Sequence, residues 1–321
     1  MKSTNPCPTL PKVGNTMTFS ASVTDELHRF DTHLRDVQGL ALGTRKINLR
    51  VVGCFLQDQF GENDIEIGRL CPDDIRQFFA RQLGVGNRSA SYASSLSAGL
   101  HGYFRYRATC GDPTGHLSTT TQNPVHWKLA SLPRALAPEE SDRLLDAVPR
   151  IARRHPKRGY AIVRCALDLG LRCGEIAHLG LADIDWRNGT VVLRGAKTKR
   201  QDVLPLPMET GQALADYLQH ERPASKHPSL FVRQIDGQDV PLTPMAICKF
   251  IKRACCGVGL PEASAHSLRH TVASRLVANG SSLKEVADLL RHRSLETTLI
   301  YAKLDTPKLA AVALPWPGSQ P

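Results

Sequence analysis

Between Gly111 and Leu132 this chain of 321 residues loses its apolar periodicity. Gly111-Asp112-Pro113-Thr114-Gly115 is followed by Ser118-Thr119-Thr120-Thr121, a composition that supplies turns but no face to bury. A chain of this length exceeds one small core and suits two domains of ordinary size. The stretch 111–134 therefore reads as a linker between a domain over 20–110 and a second over 135–313. Residues 1–19, with little periodicity and Pro6, Pro8 and Pro11, read as a flexible leader, and 314–321 as a tail.

The first domain is predicted to be helical throughout. Val23–Val37 carries Leu27, Phe30 and Leu34 on one face, and Thr44–Phe60 carries Ile47, Val51, Cys54 and Phe55. Pro72-Asp73-Asp74 suits a helix start, with proline at the first turn and acids near the positive end of the dipole. Ser89–Ala108 places Tyr92, Leu96, Leu100 and Phe104 on one stripe. Four helices in so short a span make a small α-domain.

The second domain opens on Ala137-Pro138-Glu139-Glu140, an acidic first turn leading to Leu144, Leu145 and Val148. A helix is expected over Tyr160–Leu169. Gly170-Leu171-Arg172-Cys173-Gly174-Glu175 is then a glycine-punctuated turn into a short helix. Asp185–Leu193 reads as a strand entered through Asn188-Gly189. A basic turn over 195–201 leads to a returning strand over Asp202–Leu206. Thr243-Pro244 caps a helix to Cys256, and the remainder to Val312 reads as helical, with breaks at Gly280 and Arg293.

Hydrophobic residues at 41% and charged residues at 22% exclude wholesale disorder. Lys and Arg total 41 against 30 Asp and Glu, a net charge of +11 that points to a polyanionic partner. Residues 1–134 hold 15 basic and 11 acidic residues, so both parts are basic. No apolar run approaches the roughly 20 residues that span a bilayer, and the polar N-terminus lacks a signal-peptide core. The nine cysteines show no CxxC spacing, which argues against a zinc ribbon and reads as reduced thiols in a cytosolic protein.

Chemistry concentrates in the C-terminal half. In His266-Ser267-Leu268-Arg269-His270-Thr271, positions 266 and 269 share a helix face and can converge on one ligand. His270 stands four after His266, but a zincin pair needs Glu where Ser267 stands, so the metal reading is poor. A basic, solvated helix start is the plain alternative. In Leu289-Leu290-Arg291-His292-Arg293-Ser294, Ser294 can cap a helix that brings Tyr301 about two turns on. A lone Tyr there equally suits half-buried packing.

Taken together, Arg172 within Gly-Leu-Arg-Cys-Gly-Glu-Ile, His266-Ser-Leu-Arg269-His-Thr, and His292 nine residues before Tyr301 resemble the tyrosine recombinases, or phage-integrase family. The resemblance spans 137–312 in detail and 20–110 in outline. It implies a fold that is mainly α with a small antiparallel β-sheet in the C-terminal catalytic domain, and an N-terminal four-helix, SAM-like core-binding domain. It further implies that Tyr301 attacks a DNA phosphodiester to give a 3′-phosphotyrosyl link and a free 5′-hydroxyl. Arg172 and Arg269 would clamp the non-bridging oxygens with His292 helping, and His266 would act in proton transfer at the nucleophile. Glu175 matches an acidic supporting position. A hairpin lysine would protonate the leaving oxygen: Lys197, early in the turn, is favoured over Lys199, although Ala196 stands where many relatives carry the lysine.

These roles agree with elementary chemistry. The phosphodiester transition state gathers negative charge that fixed guanidiniums pair in a bidentate fork at any working pH. A phenol with a pKa near 10 needs cationic surroundings and a base to become a nucleophile. Two Arg, a Lys and two His supply in charge what a metal would, so neither metal nor cofactor is required. Arg291 departs from relatives, which usually carry Gly there, and is either one more phosphate contact or a local change in helix geometry. Further DNA-binding candidates are Lys46 and Arg50 on the second helix, Arg105 and Arg107 on the fourth, and Lys199 and Arg200 on the hairpin turn. Phe104 with Leu100 reads as core rather than as a base-stacking platform.

Three readings compete. The first is a site-specific recombinase or integrase acting in integration, excision, dimer resolution or transposition of a mobile element. Its partners would be double-stranded DNA sites and copies of itself, a dimer per site and a tetrameric synapse, with accessory or sister recombinases in some systems. The second is a non-catalytic helix-turn-helix binder, since 282–290 followed by 294–301 has that outline. The third is a type IB topoisomerase. The first implies a C-shaped clamp on duplex DNA, steep salt dependence, and a cytoplasmic, nucleoid-associated location in a bacterial or phage setting. The tail segment Pro307–Leu314 is apolar enough to dock on a neighbouring protomer or on its own domain.

Overall fold

The computed structural model describes residues 18–84, 90–121, 134–194, 201–291, 298 and 301. By internal contacts the chain divides into two units, Met1–Lys128 and Leu129–Pro321. In the first unit α1 (Ala21–Asp36), α2 (Leu42–Phe60), α3 (Pro72–Gly84) and α4 (Ala90–Thr109) follow the expected order. Ser20 caps α1 by accepting from the Val23 amide, an interaction worth about 1 kcal/mol. Asp74 accepts from the Cys71 amide at the start of α3, 2.9 Å away.

The apolar stripes meet in one core of Phe30, Leu34, Val51, Phe55, Phe78, Leu96, Leu100 and Phe104. Phe55 meets Phe78 and Phe104 edge-on at 5.3 and 5.9 Å, the geometry favoured by the ring quadrupole. Ile47 is the exception to its predicted face and is exposed. Glu26, 1% exposed, accepts from the Tyr103 hydroxyl at 3.0 Å and from Arg107 at 2.8 Å, tying α1 to α4. Burying that carboxylate is tolerable because its lone pairs are filled.

The linker expected over 111–134 is corrected at its N-terminal end. Gly115–Thr120 forms a helix, α5, that packs on α4 and buries Leu117 in the same core. Thr114 and Thr121 are buried on either side of it, Thr114 donating to the Phe104 carbonyl at 2.7 Å. A single leucine among Ser and Thr anchors this short element, too little apolar material to register as periodicity. Residues 122–133 lie outside the described residues.

In the second unit α6 (Pro138–Ile151) begins where Glu140 accepts from the Ala137 amide at 3.0 Å. The central α7 (Pro156–Asp168) is buried at every position from Ala161 to Leu167. Helix α8 (Cys173–His178) leads into a sheet of β1 (Ile184–Asp185), β2 (Thr190–Arg194) and β3 (Gln201–Pro205), ordered β1-β2-β3 and antiparallel. The turn at Asn188-Gly189 forms as expected: Asp185 accepts from the Arg187 and Asn188 amides at 3.0 and 2.9 Å, and Gly189 takes φ +60.

Between Leu206 and Thr243, where the motifs are silent, the chain forms α9 (Met208–His220) and a second hairpin, β4 (Val232–Ile235) with β5 (Gln238–Pro241). Helix α9 packs on α7, and Arg222 holds the intervening loop by donating to the carbonyls of Ser225, His227, Ser229 and Leu230. Next come α10 (Pro244–Gly257), capped by Thr243, then α11 (Ala265–Ala278) and α12 (Leu283–Leu289). The helical stretch also breaks at Val258–Ser264, where Gly259 takes φ +78, a break not expected from the sequence. Among the described residues no helix is long and apolar enough to cross a membrane.

Candidate active site

The turn that ends α7 sets the geometry. Gly170 sits at φ +60, and a Cβ there would lie 2.8 Å from Leu290 Cδ2, so both backbone conformation and space require glycine. The chain then presents Arg172 as the residue preceding α8. Glu175, in the first turn, accepts from the Arg172 amide at 2.8 Å and from its guanidinium Nη1 at 2.8 Å. The carboxylate thus caps the helix and orients the arginine, whose side chain stays 41% exposed and available to a ligand.

Arg269, one turn into α11, approaches from the other side. It is 5% exposed, and its guanidinium donates to the Gly170 carbonyl at 2.5 Å and to the Leu290 carbonyl. One planar fork therefore joins the ends of α7 and α12. Burial, then the neighbouring Arg172 charge, brings its pKa down to about 10, which leaves it protonated at neutral pH.

Arg291 completes the cluster from the residue after Leu290. Its backbone takes φ +54, a left-handed conformation that costs a non-glycine residue about 1 kcal/mol or more. Its Nη1 donates to the Leu289 carbonyl at 2.9 Å and its Nη2 to Glu175 at 2.7 Å. Arg269 Nη1 lies 3.9 Å from the same carboxylate oxygen. Burial pushes the Glu175 carboxyl up, but the Arg291 charge, the Arg172 amide and the Arg291 hydrogen bond outweigh it, and the group lies below its ordinary range.

Tyr301 is 2% exposed and packs on Val272, Ala273, Val277, Val286 and Leu290. Its hydroxyl lies 2.6 Å from His270 Nδ1, with the rings inclined at 59°. With the ring proton on Nε2, Nδ1 accepts from the phenol. Burial lowers the His270 pKa, helped by the His266 and Arg269 charges, so the imidazole stays neutral at neutral pH. The phenol is raised by burial, against the opposing pull of Arg269 and Arg172.

The expectation that His266 serves the nucleophile meets a different arrangement here. His266 is exposed at the start of α11, and the imidazole on the phenol is that of His270, one turn further on. The spacing of 266, 269 and 270 puts all three on one helix face, a pattern that suits a phenol partner at 270 as well as the metal pair it suggests at first sight. Among the described residues no group of three or more His, Cys, Asp or Glu is placed to hold a metal.

Of the remaining candidates, His292, Lys197, Lys199 and Arg200 lie outside the described residues. The strands that bracket the hairpin turn pair through Arg194 with Gln201. Arg291, a DNA-binding candidate by sequence, turns inward, its side chain 8% exposed. Arg107, its side chain 20% exposed, pairs with Glu26 at 2.8 Å and Asp112 at 2.6 Å. Lys46 is exposed on α2 and Arg50 partly so. Arg105 is exposed beside a cleft of about 520 Å³ lined by Gln38, His101, Ser118 and Thr119. Tyr103 and Phe104 are fully buried and offer no stacking surface.

Residues 134–307 match the sequence profile of the Phage integrase family. The chain is 34% identical over 304 residues to the y4rA integrase/recombinase of Sinorhizobium fredii, covering 93% of this chain and 72% of that one. It is 30% identical over 280 residues to the tyrosine recombinase XerA of Thermococcus kodakarensis, covering 87% and 90%. Among solved structures, XerH site-specific recombinase bound to a palindromic difH substrate in a post-cleavage complex shares the fold. Its TM-score is 0.68 at 21% identity, over 89% of this chain and 83% of that one. A lambda integrase dimer bound to a COC′ core site gives 0.66 at 17% identity, over 92% and 98%.

Proposed function

Since this chain belongs to the phage integrase family and is a DNA-cleaving and rejoining enzyme of the tyrosine-recombinase type, we propose that Tyr301 is its nucleophile and that Arg172 and Arg269 receive the scissile phosphate. The observation that carries the assignment is a buried phenol with an imidazole nitrogen 2.6 Å from its hydroxyl, beside a guanidinium cluster held on one carboxylate.

In the proposed reaction the Tyr301 oxygen bonds to phosphorus as the P–O5′ bond breaks, giving a 3′-phosphotyrosyl end and a free 5′-hydroxyl. The phenol's proton passes to His270, whose Nδ1 already faces it, in place of the transfer that resemblance gives to His266. His266, exposed at the start of α11, serves the phosphate instead, together with His292. The 5′-oxygen takes its proton from a hairpin lysine, Lys197 before Lys199. Charge building on the non-bridging oxygens is met by guanidiniums already oriented, so little reorganisation accompanies the step. Reversal by another 5′-hydroxyl reseals the strand, with the bond energy kept in the phosphotyrosine.

The substrate is double-stranded DNA carrying a recombination site. The lambda integrase neighbour is a dimer on its core site, which supports a dimer per site here, and two such dimers form the synapse. The S. fredii integrase/recombinase relative favours movement of a mobile element, with the enzyme in the cytoplasm at the nucleoid. Lys46, Arg50 and Arg105 are the first-unit side chains for the DNA backbone, with Lys199 and Arg200 in the second.

The test uses a nicked suicide duplex carrying the site that the protein selects from randomised DNA. Wild type is expected to give a covalent band on a denaturing gel and Tyr301→Phe none. A band of equal intensity from Tyr301→Phe rejects the assignment, and no band from either protein on bound DNA favours a non-catalytic binder.

A further inference from the structure

Three guanidiniums converge on Glu175, and the roles above use only two of them. Arg291 reaches the carboxylate from a position 116 residues later in the chain, at 2.7 Å, while its other terminal nitrogen holds the Leu289 carbonyl at 2.9 Å. Its amide donates to the Asp288 carbonyl at 3.0 Å, and Arg269 covers the Leu290 carbonyl. The last carbonyls of α12 are thus closed by the same arginines that surround the carboxylate.

Arg291 holds this place against its own backbone preference, at φ +54. Among the described residues the other non-glycine with positive φ is Asp236, in the β4–β5 turn. Strain of this kind persists where side-chain contacts over-determine the conformation, and here those contacts are the carboxylate and the carbonyl. A glycine would sit in this backbone freely but would leave both groups without the fork.

We infer that Arg291 is a positioning residue for the phosphate clamp: by holding Glu175 from behind, it fixes the carboxylate that orients Arg172. Glu175 Oε2 takes Arg291 and the Arg172 amide, leaving Oε1 to the Arg172 guanidinium. Sharing the negative charge this way keeps Arg172 oriented without neutralising it. Arg291 itself, with its side chain 8% exposed, presents little surface to DNA. The inference deepens the recombinase reading above and rests on it.

The experiment compares wild type, Arg291→Gly, Arg291→Lys, Glu175→Gln and the Glu175→Gln/Arg291→Gly double variant on the selected site. Three quantities are read: thermal melting, DNA affinity by anisotropy, and the single-turnover rate of covalent-complex formation. Arg291→Gly, freed of backbone strain, is expected to fold and to bind DNA within about twofold of wild type, while cleavage slows roughly ten- to a hundredfold, as for other groups that orient a reacting residue. Because it acts through Glu175, it should slow the Glu175→Gln enzyme no more than about twofold further.

A second readout uses a neutral methylphosphonate at the scissile position, which needs less clamping; the Arg291→Gly penalty is expected to shrink there, and a purely structural role would leave it unchanged. Full-rate cleavage by Arg291→Gly overturns the inference. So does a fall in DNA affinity and in its salt slope with the rate on bound DNA intact, which would make Arg291 a direct phosphate contact. Should Arg291→Gly melt early, Arg291→Lys, with the charge but not the fork, is expected to show the same slowing at wild-type affinity, and full rate from it likewise refutes the role. Wild-type cleavage with loss in Tyr301→Phe, scored in parallel, separates failure here from failure of the recombinase reading.

Discussion

Arg269 has to stay charged while almost wholly out of water, and it does so by giving its fork to two carbonyls that would otherwise lack partners. A lysine has one compact donor head and cannot span both. Arg269→Lys is therefore expected to leave a buried carbonyl unpaired at a cost of about 1–3 kcal/mol, seen by calorimetry as a melting point several degrees lower; an unchanged melting point would contradict the bridging role. His270 makes a pH prediction. Its folded pKa is depressed, so the unfolded chain binds the proton more tightly. Stability is then full above about pH 6.5 and declines as pH falls from there toward the lower folded value. Melting should drop as pH falls below about 6.5, and less steeply in His270→Gln, with the remainder carried by His155, shifted in the same direction. Arg172, Arg269 and Tyr301 were singled out by residue type and order. His270 was not, because a spacing of four serves a metal pair, a solvated face or a phenol equally. Nor was the inward turn of Arg291, since the sign of φ at an arginine is invisible in a sequence.

At the level of elements, the site is three helix ends drawn together: the end of α7, the start of α8 and the end of α12, with α11 supplying Arg269 and His270. Gly170 is the joint. Gly170→Ala would impose a Cβ at φ +60 and 2.8 Å from Leu290 Cδ2, and is expected to destabilise the domain by more than about 1 kcal/mol, or several degrees of melting. A melting point equal to wild type would mean that the α7–α12 approach is not tight. Helices α1, α2, α4 and α10 were legible within a few residues of both ends, and α3 and α6 at their starts, as was the Asn188-Gly189 turn. The misses have physical causes. Helix α5 has one buried leucine among hydroxyl residues, and the β4–β5 hairpin is four residues a side with polar residues outward. It is tied to α9 through Val232, whose amide donates to the Tyr217 hydroxyl at 3.4 Å beside the stacked Tyr217 and Phe231 rings, a contact that local pattern does not contain.

For the whole molecule, the charge of +11 over two basic units predicts that DNA affinity falls roughly a hundredfold or more between 50 and 200 mM salt, as counterions return to the phosphates. An affinity flat over that range would contradict backbone recognition by both units. Charge balance and motif order made the class of partner legible, but the target sequence depends on surface side chains that no motif encodes. If one phenol carries the reaction, digesting the trapped protein–DNA complex with protease and nuclease should leave a nucleotide 3′-phosphate on the peptide containing Tyr301, located by mass spectrometry. An adduct on another residue, or a link through a 5′-phosphate, would refute that role for Tyr301.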